Sequence, residues 1–281
     1  MIIKNKFLAP IFDTFDLPIR YLYTHAGPIS TGLNKMMFWK LYASDFSKLD
    51  AKFTIMYDFL QKNRLSLKDK YVLELGPGNS YINAYNFLML GAKKVYLVDK
   101  YPRHNNTKAQ KKFMKDELEF IAKKYGISKL PFIGQDSSID QNFIEFIPKD
   151  LTKTTDLHVD FIYSISVLEH IKDIGNNIIK MADILNPGGY MYHRIDMRDH
   201  FNFNNPFLFY KYSDRTWENY CVKEGLSYTN RWRYDDFMKA FGKLNIIYEE
   251  IEKYPLPKNI GKKFIGRNSL DIGVLSIILQ K

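Results

Sequence analysis

From residue 70 onward, short apolar runs rich in Val, Ile and Tyr alternate with longer amphipathic stretches. Alternating strands and helices are typical of parallel strands joined by right-handed crossovers, and nearly continuous apolar strands indicate burial on both faces. The pattern therefore predicts an α/β fold with a doubly wound, mostly parallel sheet of seven strands. The predicted strands lie at 71–75, 94–99, 130–134, 160–166, 189–196, 245–254 and 271–280. The predicted helices lie at about 80–90, 107–125, 173–185 and 233–242.

Two parts of the chain lack this alternation of strand and helix patterns. Residues 1–69 are irregular and then helical, and we interpret them as an N-terminal helical extension ahead of a domain at 70–281. Residues 198–232, called the insertion below, are aromatic and polar without clear periodicity. Loops of this length inside a compact domain are usually functional or disordered, and the aromatic content argues against disorder. We therefore expect the insertion to take part in ligand binding.

Charge and cysteine content limit the partners. A net charge of +10 favours anionic partners, although a Lys-rich composition also follows from an AT-rich genome. Cys221 is the only cysteine, so neither an intrachain disulfide nor a cysteine metal cluster can form. No apolar stretch reaches the roughly 18 residues that a spanning helix needs, and a signal-peptide core is not visible. We expect a soluble, cytoplasmic protein, and the sequence does not indicate its oligomeric state.

A Gly-Pro-Gly turn ends the first predicted strand. Gly76 and Gly78 allow backbone angles that other residues resist, and they let a ligand approach the main chain. Asp99 ends the second strand, where a carboxylate can accept both hydroxyl protons of a ribose. A dinucleotide fingerprint requires a third glycine, but Tyr81 stands there, and Glu74 places a negative charge where a pyrophosphate would bind. A ligand with a ribose and a cationic centre fits better.

The sequence at this point resembles the class I S-adenosylmethionine-dependent methyltransferases. Five stretches appear in the family's order: LELGPGNS (73–80), VYLVDK (95–100), GQDSS (134–138), DFIYSISVLEHI (160–171) and LNPGGYMYHRID (185–196). The resemblance implies a Rossmann-like methyltransferase fold and S-adenosylmethionine as cofactor. It also implies that the N-terminal extension closes over the cofactor as a lid.

The resemblance also implies a role for each matching position. Residues 74–78, with Glu74, Gly76 and Gly78, would hold the methionine part of the cofactor. Asp99 would bind the ribose hydroxyls. Asp136 would reach the adenine amino group with Ser137 beside it, or would cap a helix instead. Ser164, at the end of the fourth strand, would line the methyl donor.

Metal binding is not expected. Some quinone-pathway relatives carry a metal-binding Glu-x-x-Glu-His motif after the fourth strand. Here Glu169 and His170 are present, but the upstream position is Ser166, which removes one oxygen ligand. We therefore expect Glu169 and His170 to orient loops at the cofactor pocket.

Candidate bases crowd the end of the fifth strand in the segment HRIDMRDH (193–200). A hydroxyl acceptor must lose its proton to a neutral His or a carboxylate during methyl transfer. His193 and Asp196 face opposite ways in an extended strand, so both need not face the pocket. His200 lies past the strand end and is our preferred general base, with His193 and Asp196 as further catalytic candidates. The alternative is a salt bridge between Arg194 and Asp196, with His200 only starting a loop.

The insertion and its approach carry arginines among many aromatic residues. Arginine suits forked recognition of phosphate or carboxylate, and aromatic faces suit sugar rings or bases. We expect the acceptor to be bound by Arg194, Arg198, Arg215 and Arg231. The alternative is that the aromatic residues form a satellite core and that the arginines are solvated.

These observations favour O-methylation of a small anionic (phosphorylated) or sugar-type acceptor. A resemblance to bacterial proteins of cell-surface polysaccharide biosynthesis points the same way. RNA methylation is a second possibility, but the chain shows neither an Asn-Pro-Pro-Tyr-type motif nor a separate RNA-binding module, so nucleic acid is the less favoured partner. A cofactor-binding, non-catalytic protein of the same fold is the third.

Overall fold

The computed structural model describes residues 14–25, 45–101, 107–134, 138–202, 204–222 and 228–281. A seven-stranded sheet lies across them in the order β3-β2-β1-β4-β5-β7-β6, and of these strands β7 runs antiparallel to the other six. The predicted doubly wound, mostly parallel sheet is therefore confirmed. The strands are β1 (Tyr71–Leu75), β2 (Lys94–Val98), β3 (Ile144–Ile147), β4 (Val159–Ile165), β5 (Leu185–Asp196), β6 (Asn245–Lys253) and β7 (Ile272–Gln280).

Helices cover both faces of this sheet. The α-helices of a turn and a half or more are α1 (Asp16–His25), α2 (Phe46–Lys62), α3 (Ile82–Met89), α4 (Lys108–Tyr125), α5 (Ile174–Ile184) and α6 (Tyr234–Phe241). Within the insertion, a short helix at Asp214–Thr216 continues as a π-helix at Trp217–Cys221. None of the helices in the described ranges is long and apolar enough to cross a membrane.

Alternation along each strand divides the core into two layers. Val72 faces a cluster with residues of α2, α3 and α4, whereas its neighbour Leu73 faces a cluster with α5 and α6. Successive strand side chains point to opposite faces, so one apolar run serves both layers. Because β1 lies between β2 and β4, the direction of strand order reverses there, and the carboxyl ends of β1 and β4 form the edge at which α/β proteins bind ligands.

The third strand is not where the sequence indicated. Residues 130–134 form no strand: Gly134 N donates to Ser138 O at 2.8 Å, and Ile133 makes an isolated antiparallel bridge with Ile139. Ile144–Ile147 pairs with β2 instead, and Glu145 adds an ion pair of 2.6 Å to Lys94. The predicted strand at 130–134 was wrong because both segments are short apolar runs, which the sequence alone does not distinguish.

The N-terminal extension is partly described. Helix α1 lies in a region without a regular sequence pattern. Helix α2 coincides with the later part of residues 35–61, whose apolar spacing is typical of a helix. Residues 35–44 lie outside the described ranges. Helix α2 buries Phe53, Met56 and Phe59 against the sheet, so it belongs to the same core as β1 and β4.

Candidate active site

The Gly-Pro-Gly turn follows β1 directly. Gly76 and Gly78 have φ angles of +69° and +61°, in the left-handed region that favours glycine. A Cβ at Gly76 would lie 2.6 Å from a methyl carbon of Val167, whereas a Cβ at Gly78 would meet nothing within 4 Å. Gly76 is therefore required by close packing against the loop after β4, and Gly78 leaves open space beside the main chain.

Glu74 brings a buried carboxyl group to this turn. Its side chain is 3% exposed, and Oε1 accepts a hydrogen bond of 2.7 Å from the Asn83 side-chain amide. Oε2 has no hydrogen-bond partner among the described residues. Burial raises the pKa of Glu74 to about 8, although the Asn83 bond opposes the shift. A buried acceptor atom of this kind is suited to a cationic group such as an ammonium.

Asp99 follows β2 and faces the same turn. Its Oδ1 accepts from Tyr101 N at 2.8 Å, and its Oδ2 accepts a long bond of 3.4 Å from Gly78 N. Burial raises the pKa of Asp99, and the two backbone bonds partly offset that shift. A carboxylate offers about four lone-pair directions, so two backbone bonds leave capacity for the hydroxyls of a ribose.

A third carboxyl group, which no sequence pattern indicates, lies at the start of α3. Glu117 of α4 is fully buried and accepts from Ser80 Oγ at 2.5 Å and from Tyr81 N at 3.1 Å. A helix N-terminus normally attracts anions. Here a side chain from 36 residues downstream satisfies it, which agrees with the prediction against a pyrophosphate. No local sequence signal could have paired residues so distant.

Asp136 and Ser137, expected near the adenine, lie outside the described residues. The carboxyl group that follows the observed β3 is that of Asp150, which accepts bonds from Thr152 N and Oγ1 at 3.0 and 2.7 Å. The role of Asp136 therefore remains a prediction, and its stated position after the third strand does not apply.

Ser164 and His193 meet inside the sheet. Ser164 Oγ lies 2.8 Å from His193 Nδ1, and both side chains are fully buried. The imidazole stacks on Phe241 of α6, and burial lowers the pKa of His193 to about 3. Strand alternation predicts that His193 and Asp196 point to opposite faces of the sheet. His193 faces α6 and Asp196 lies on the opposite face, so the structure does not bring His193 to the other candidate bases.

Four other titratable side chains do come together, at the carboxyl ends of β4 and β5. His200 Nε2 lies 3.6 Å from Asp196 Oδ2 and 3.9 Å from Glu169 Oε1. His170 Nε2 lies 4.0 Å from the same Glu169 oxygen, and the rings of His170 and His200 are 4.8 Å apart. We call Glu169, His170, Asp196 and His200 the acid–base cluster. Val167, which contacts Gly76, is two residues from Glu169, so this cluster adjoins the glycine turn.

The members of the acid–base cluster shift one another's protonation. Burial raises the pKa of Glu169 to about 8, against the attraction of His200. Burial, with repulsion from His200, lowers the pKa of His170 to about 4. Burial disfavours the charged form of His200 as well, but Asp196 and Glu169 outweigh it and raise its pKa. Asp196 has a lowered pKa despite burial, because Arg198 and His200 stabilise its carboxylate.

Hydrogen bonds fix the orientation of this cluster. His170 Nδ1 donates to Tyr228 O at 2.5 Å, which leaves Nε2 as the nitrogen facing Glu169. Arg198 holds Asp196 in a fork, with Nε and Nη2 at 2.8 and 2.7 Å from its two oxygens. The ligand atoms of Glu169, His170 and His200 all lie within 4.8 Å of one another, a donor set that could hold a metal ion.

The arginines expected to bind the acceptor are dispersed. Arg194 pairs with Glu252 at 2.7 Å on the sheet, and Arg198 is committed to Asp196. Arg215 is exposed on the short helix of the insertion. Arg231 is 4% exposed and donates to Tyr212 O at 2.8 Å and to the Asp214 carboxylate. Of these four, Arg198 alone contacts the acid–base cluster.

The aromatic residues of the insertion form a satellite core, the alternative weighed above. Phe207, Phe209, Tyr210 and Trp217 are at most 1% exposed and pack with Phe264. The fully buried guanidinium of Arg233 lies over three of these rings and donates to Met197 O and Ile272 O. The sequence does not identify Arg233 as a structural residue, because an arginine between aromatic residues is equally typical of an exposed binding surface.

The chain matches a known protein family. A family profile described as a methyltransferase domain matches residues 52–247, which is most of the chain and includes both the glycine turn and the acid–base cluster. The chain belongs to this methyltransferase family. It is an S-adenosylmethionine-dependent methyltransferase of class I, and S-adenosylmethionine is its cofactor.

Similar solved structures include several methyltransferases. Magnesium protoporphyrin IX methyltransferase from Synechocystis is 14% identical, covers 95% of this chain and 97% of its own, and has a TM-score of 0.49. N-methyltransferase NodS from Bradyrhizobium japonicum is 14% identical with coverages of 86% and 91% and a TM-score of 0.43. A methyltransferase from Clostridium acetobutylicum is 14% identical with coverages of 90% and 98% and a TM-score of 0.46. No curated protein matches the sequence significantly.

The residues of this methyltransferase fit the cofactor. The partnerless Glu74 Oε2 suits the α-ammonium of the methionine part, and the open space at Gly78 admits a ligand close to the main chain. Asp99 has acceptor capacity for the ribose. When bound, the sulfonium supplies an activated methyl group. What remains for the chain is to hold that group in line with an acceptor and to manage the acceptor's proton.

Proposed function

We propose that this methyltransferase methylates a hydroxyl oxygen of a small anionic or sugar-type acceptor, with His200 as the general base. The observation that carries the proposal is the position of His200, which lies between two carboxyl groups in a cluster adjoining the glycine turn. Separations of 3.6 and 3.9 Å place both carboxyl groups close enough to interact with the imidazole. Proximity to the donor then supplies the larger part of the rate enhancement, on the order of 7–11 kcal/mol.

In this mechanism His200 takes the acceptor proton at Nε2. The Asp196 carboxylate stabilises the imidazolium that forms, and its attraction is the main reason for the raised pKa of His200. Arg198 keeps Asp196 ionised and in place through its two hydrogen bonds. A raised pKa means that His200 becomes a competent base only as pH rises above the ordinary histidine range, so we expect turnover to keep increasing as pH passes above about 6.5.

Cations near the cluster support an anionic acceptor. Lys52 of α2 has a lowered pKa, first through burial of its ammonium and next through repulsion from Arg194. The net charge of +10 acts in the same direction over longer distances. Sugars and phosphorylated metabolites of cytoplasmic polysaccharide pathways meet this requirement.

RNA methylation gains no support from these contacts. Stacking on bases requires exposed aromatic faces. The insertion's described aromatic residues are mostly buried in the satellite core, with Tyr220 as an exposed exception. We therefore do not favour RNA as the acceptor.

The test is an acceptor screen with methyl-labelled cofactor. Purified protein would be incubated with nucleotide sugars, sugar phosphates and a metabolite extract, and labelled products would be identified by mass. We expect a labelled product in which the methyl group is on oxygen, and a loss of its formation by about 100-fold or more in His200→Asn. Binding of S-adenosylhomocysteine to His200→Asn should match the wild type. Intact turnover in that variant would reject His200 as base.

A further inference from the structure

Helix α1 reaches across the molecule to the loop that carries His200. Arg20 on this helix is 2% exposed, and its Nη2 donates to the carboxylate of Asp199, the residue immediately before His200. Its Nε donates to both oxygens of Asp16, each at 2.9 Å. The guanidinium also lies 4.5 Å from the ring centre of Phe201, the residue immediately after His200. Arg20 thus contacts the chain on both sides of His200.

The surroundings of Arg20 make this arrangement specific to arginine. Asp16 and Asp199 are both about 1% exposed, and Tyr212 OH donates to Asp16 at 2.6 Å. Burial disfavours the charge on Arg20, but the two carboxylates outweigh burial and raise the pKa of Arg20 above its ordinary value. A planar group with several donors can bond two carboxylates and stack on a ring at once, which a lysine ammonium cannot do.

Asp199 transmits this contact to the backbone. Its Oδ1 accepts from Phe201 N at 3.0 Å, its own N donates to Pro206 O at 2.6 Å, and its carbonyl accepts from Asn202 N at 3.3 Å. The turn that contains His200 is therefore closed by bonds to Asp199, and Asp199 is fixed by Arg20. Without Arg20, a buried carboxylate would lose its main counter-charge and would move toward water.

We propose that Arg20 is a positioning residue that fixes His200 against Asp196 and Glu169. This inference rests on the proposed role of His200 as base. It makes helix α1 part of the acceptor side of the site, in contact with the turn that carries the base.

The charged groups around His200 determine the direction in which its pKa would shift in the Arg20 variants. Asp196 and Glu169 lie within 4 Å, and the His170 ring stacks edge-on to its ring. Asp199 adds a further negative charge, and Arg198 lies on the far side of Asp196. Removing a cation at Arg20 would by charge alone raise the pKa of His200. Moving His200 away from Asp196 and Glu169 would lower it, so the sign separates the two effects.

The experiment is a histidine NMR titration of the full-length protein with labelled imidazoles. The His200 signal is assigned through His200→Asn. In Arg20→Met we expect the proton affinity of His200 to fall about tenfold, toward that of an ordinary histidine. Arg20→Lys keeps the charge without the fork, so it should restore only part of the difference. Once an acceptor is known, kcat should fall at least tenfold in Arg20→Met, with the KM for cofactor unchanged.

Two controls keep the outcomes separable. Tyr212→Phe removes a bond to Asp16 but leaves the Arg20–Asp199 contact, so it should lower the melting temperature without moving the His200 titration. Calorimetry with S-adenosylhomocysteine should show wild-type affinity in all Arg20 variants. An unchanged or raised His200 pKa in both Arg20→Met and Arg20→Lys would overturn the inference. If Arg20→Met does not fold, Arg20→Lys decides alone. Failure of the wild type to bind S-adenosylhomocysteine would count against the cofactor site and not against Arg20.

Discussion

We predict that a single carboxyl group carries much of the cofactor recognition. Glu74 is buried with one oxygen unpartnered among the described residues, so an ammonium would gain a charge-assisted bond there. We predict that Glu74→Gln lowers the affinity for S-adenosylhomocysteine by at least tenfold, measured by calorimetry. Glu145→Gln is the matched control, because Glu145 forms a half-exposed ion pair at the sheet edge. Equal affinities in wild type and Glu74→Gln would remove this residue from the site.

The same residue predicts a proton release on binding. With a pKa of about 8, Glu74 is mostly protonated at pH 7 in the cofactor-free protein, and a bound ammonium favours the ionised form. Binding at pH 7 should therefore release up to about one proton, and less at pH 9. Calorimetry in buffers of different ionisation enthalpy measures this number. Glu74→Gln, titrated at higher ligand concentration, should show no such release, and an equal release would contradict the assignment.

Local sequence signals predict that Glu74, Gly76, Gly78 and Asp99 lie at the ends of the first two strands, and the structure has them there. Their roles toward the cofactor remain predictions. Glu117 could not be found in this way, since its contact with Ser80 joins segments that are close only after α4 packs. A residue type that usually lies at the protein surface, such as glutamate, can be recognised as buried only from the folded structure.

At the level of the turn, the two glycines predict different costs for one substitution. Both have positive φ, so alanine at either position should destabilise by about 1–2 kcal/mol. At Gly76 the new Cβ would also meet Val167 at 2.6 Å, whereas Gly78 has open space. We predict that Gly76→Ala lowers the free energy of unfolding by at least 1 kcal/mol more than Gly78→Ala. Urea denaturation measures both, and equal losses would contradict the close contact.

Most elements followed from periodicity, and the exceptions have physical causes. Strands β1, β2, β4, β5, β6 and β7 lie within a few residues of their predicted bounds. The predicted strand at 130–134 was wrong because Ile133 pairs with Ile139 in an isolated antiparallel bridge and not with the sheet. Helix α1 was not predicted, since its packing depends on Arg20 and partners far along the chain. Periodicity identifies elements that face a continuous core, and α1 faces a satellite one.

At the scale of the whole molecule, buried glutamates give stability a distinct pH dependence. Glu74 and Glu169 both have pKa values raised to about 8 by burial. A carboxyl group with a folded-state pKa above its unfolded value contributes stability fully below the unfolded value. That contribution is lost as pH rises through the folded one. We predict that the cofactor-free protein loses stability between about pH 6.5 and 8, by roughly 2 kcal/mol for each glutamate, because below about pH 6.5 the lowered pKa values of His170 and His193 act in the opposite direction.

Thermal melts across this range measure the effect. Glu74→Gln should flatten the curve in part, and Glu74→Gln with Glu169→Gln should flatten it further. Each variant should therefore melt above the wild type at pH 8. Added S-adenosylhomocysteine should stabilise the wild type most at the alkaline end. A wild-type melting temperature that rose steadily from pH 6.5 to 8 would contradict both buried assignments.

The contact between Arg20 and Asp199 spans 179 residues, and that separation has a consequence for the order of synthesis. Helix α1 leaves the ribosome before Asp199, Tyr212 and Trp217, which follow on the order of 10–40 s later at ordinary translation rates. By then strands β1 to β5 have been made. The turn that carries the base therefore cannot be anchored to Arg20 until well after the strands that lead into the glycine turn are complete.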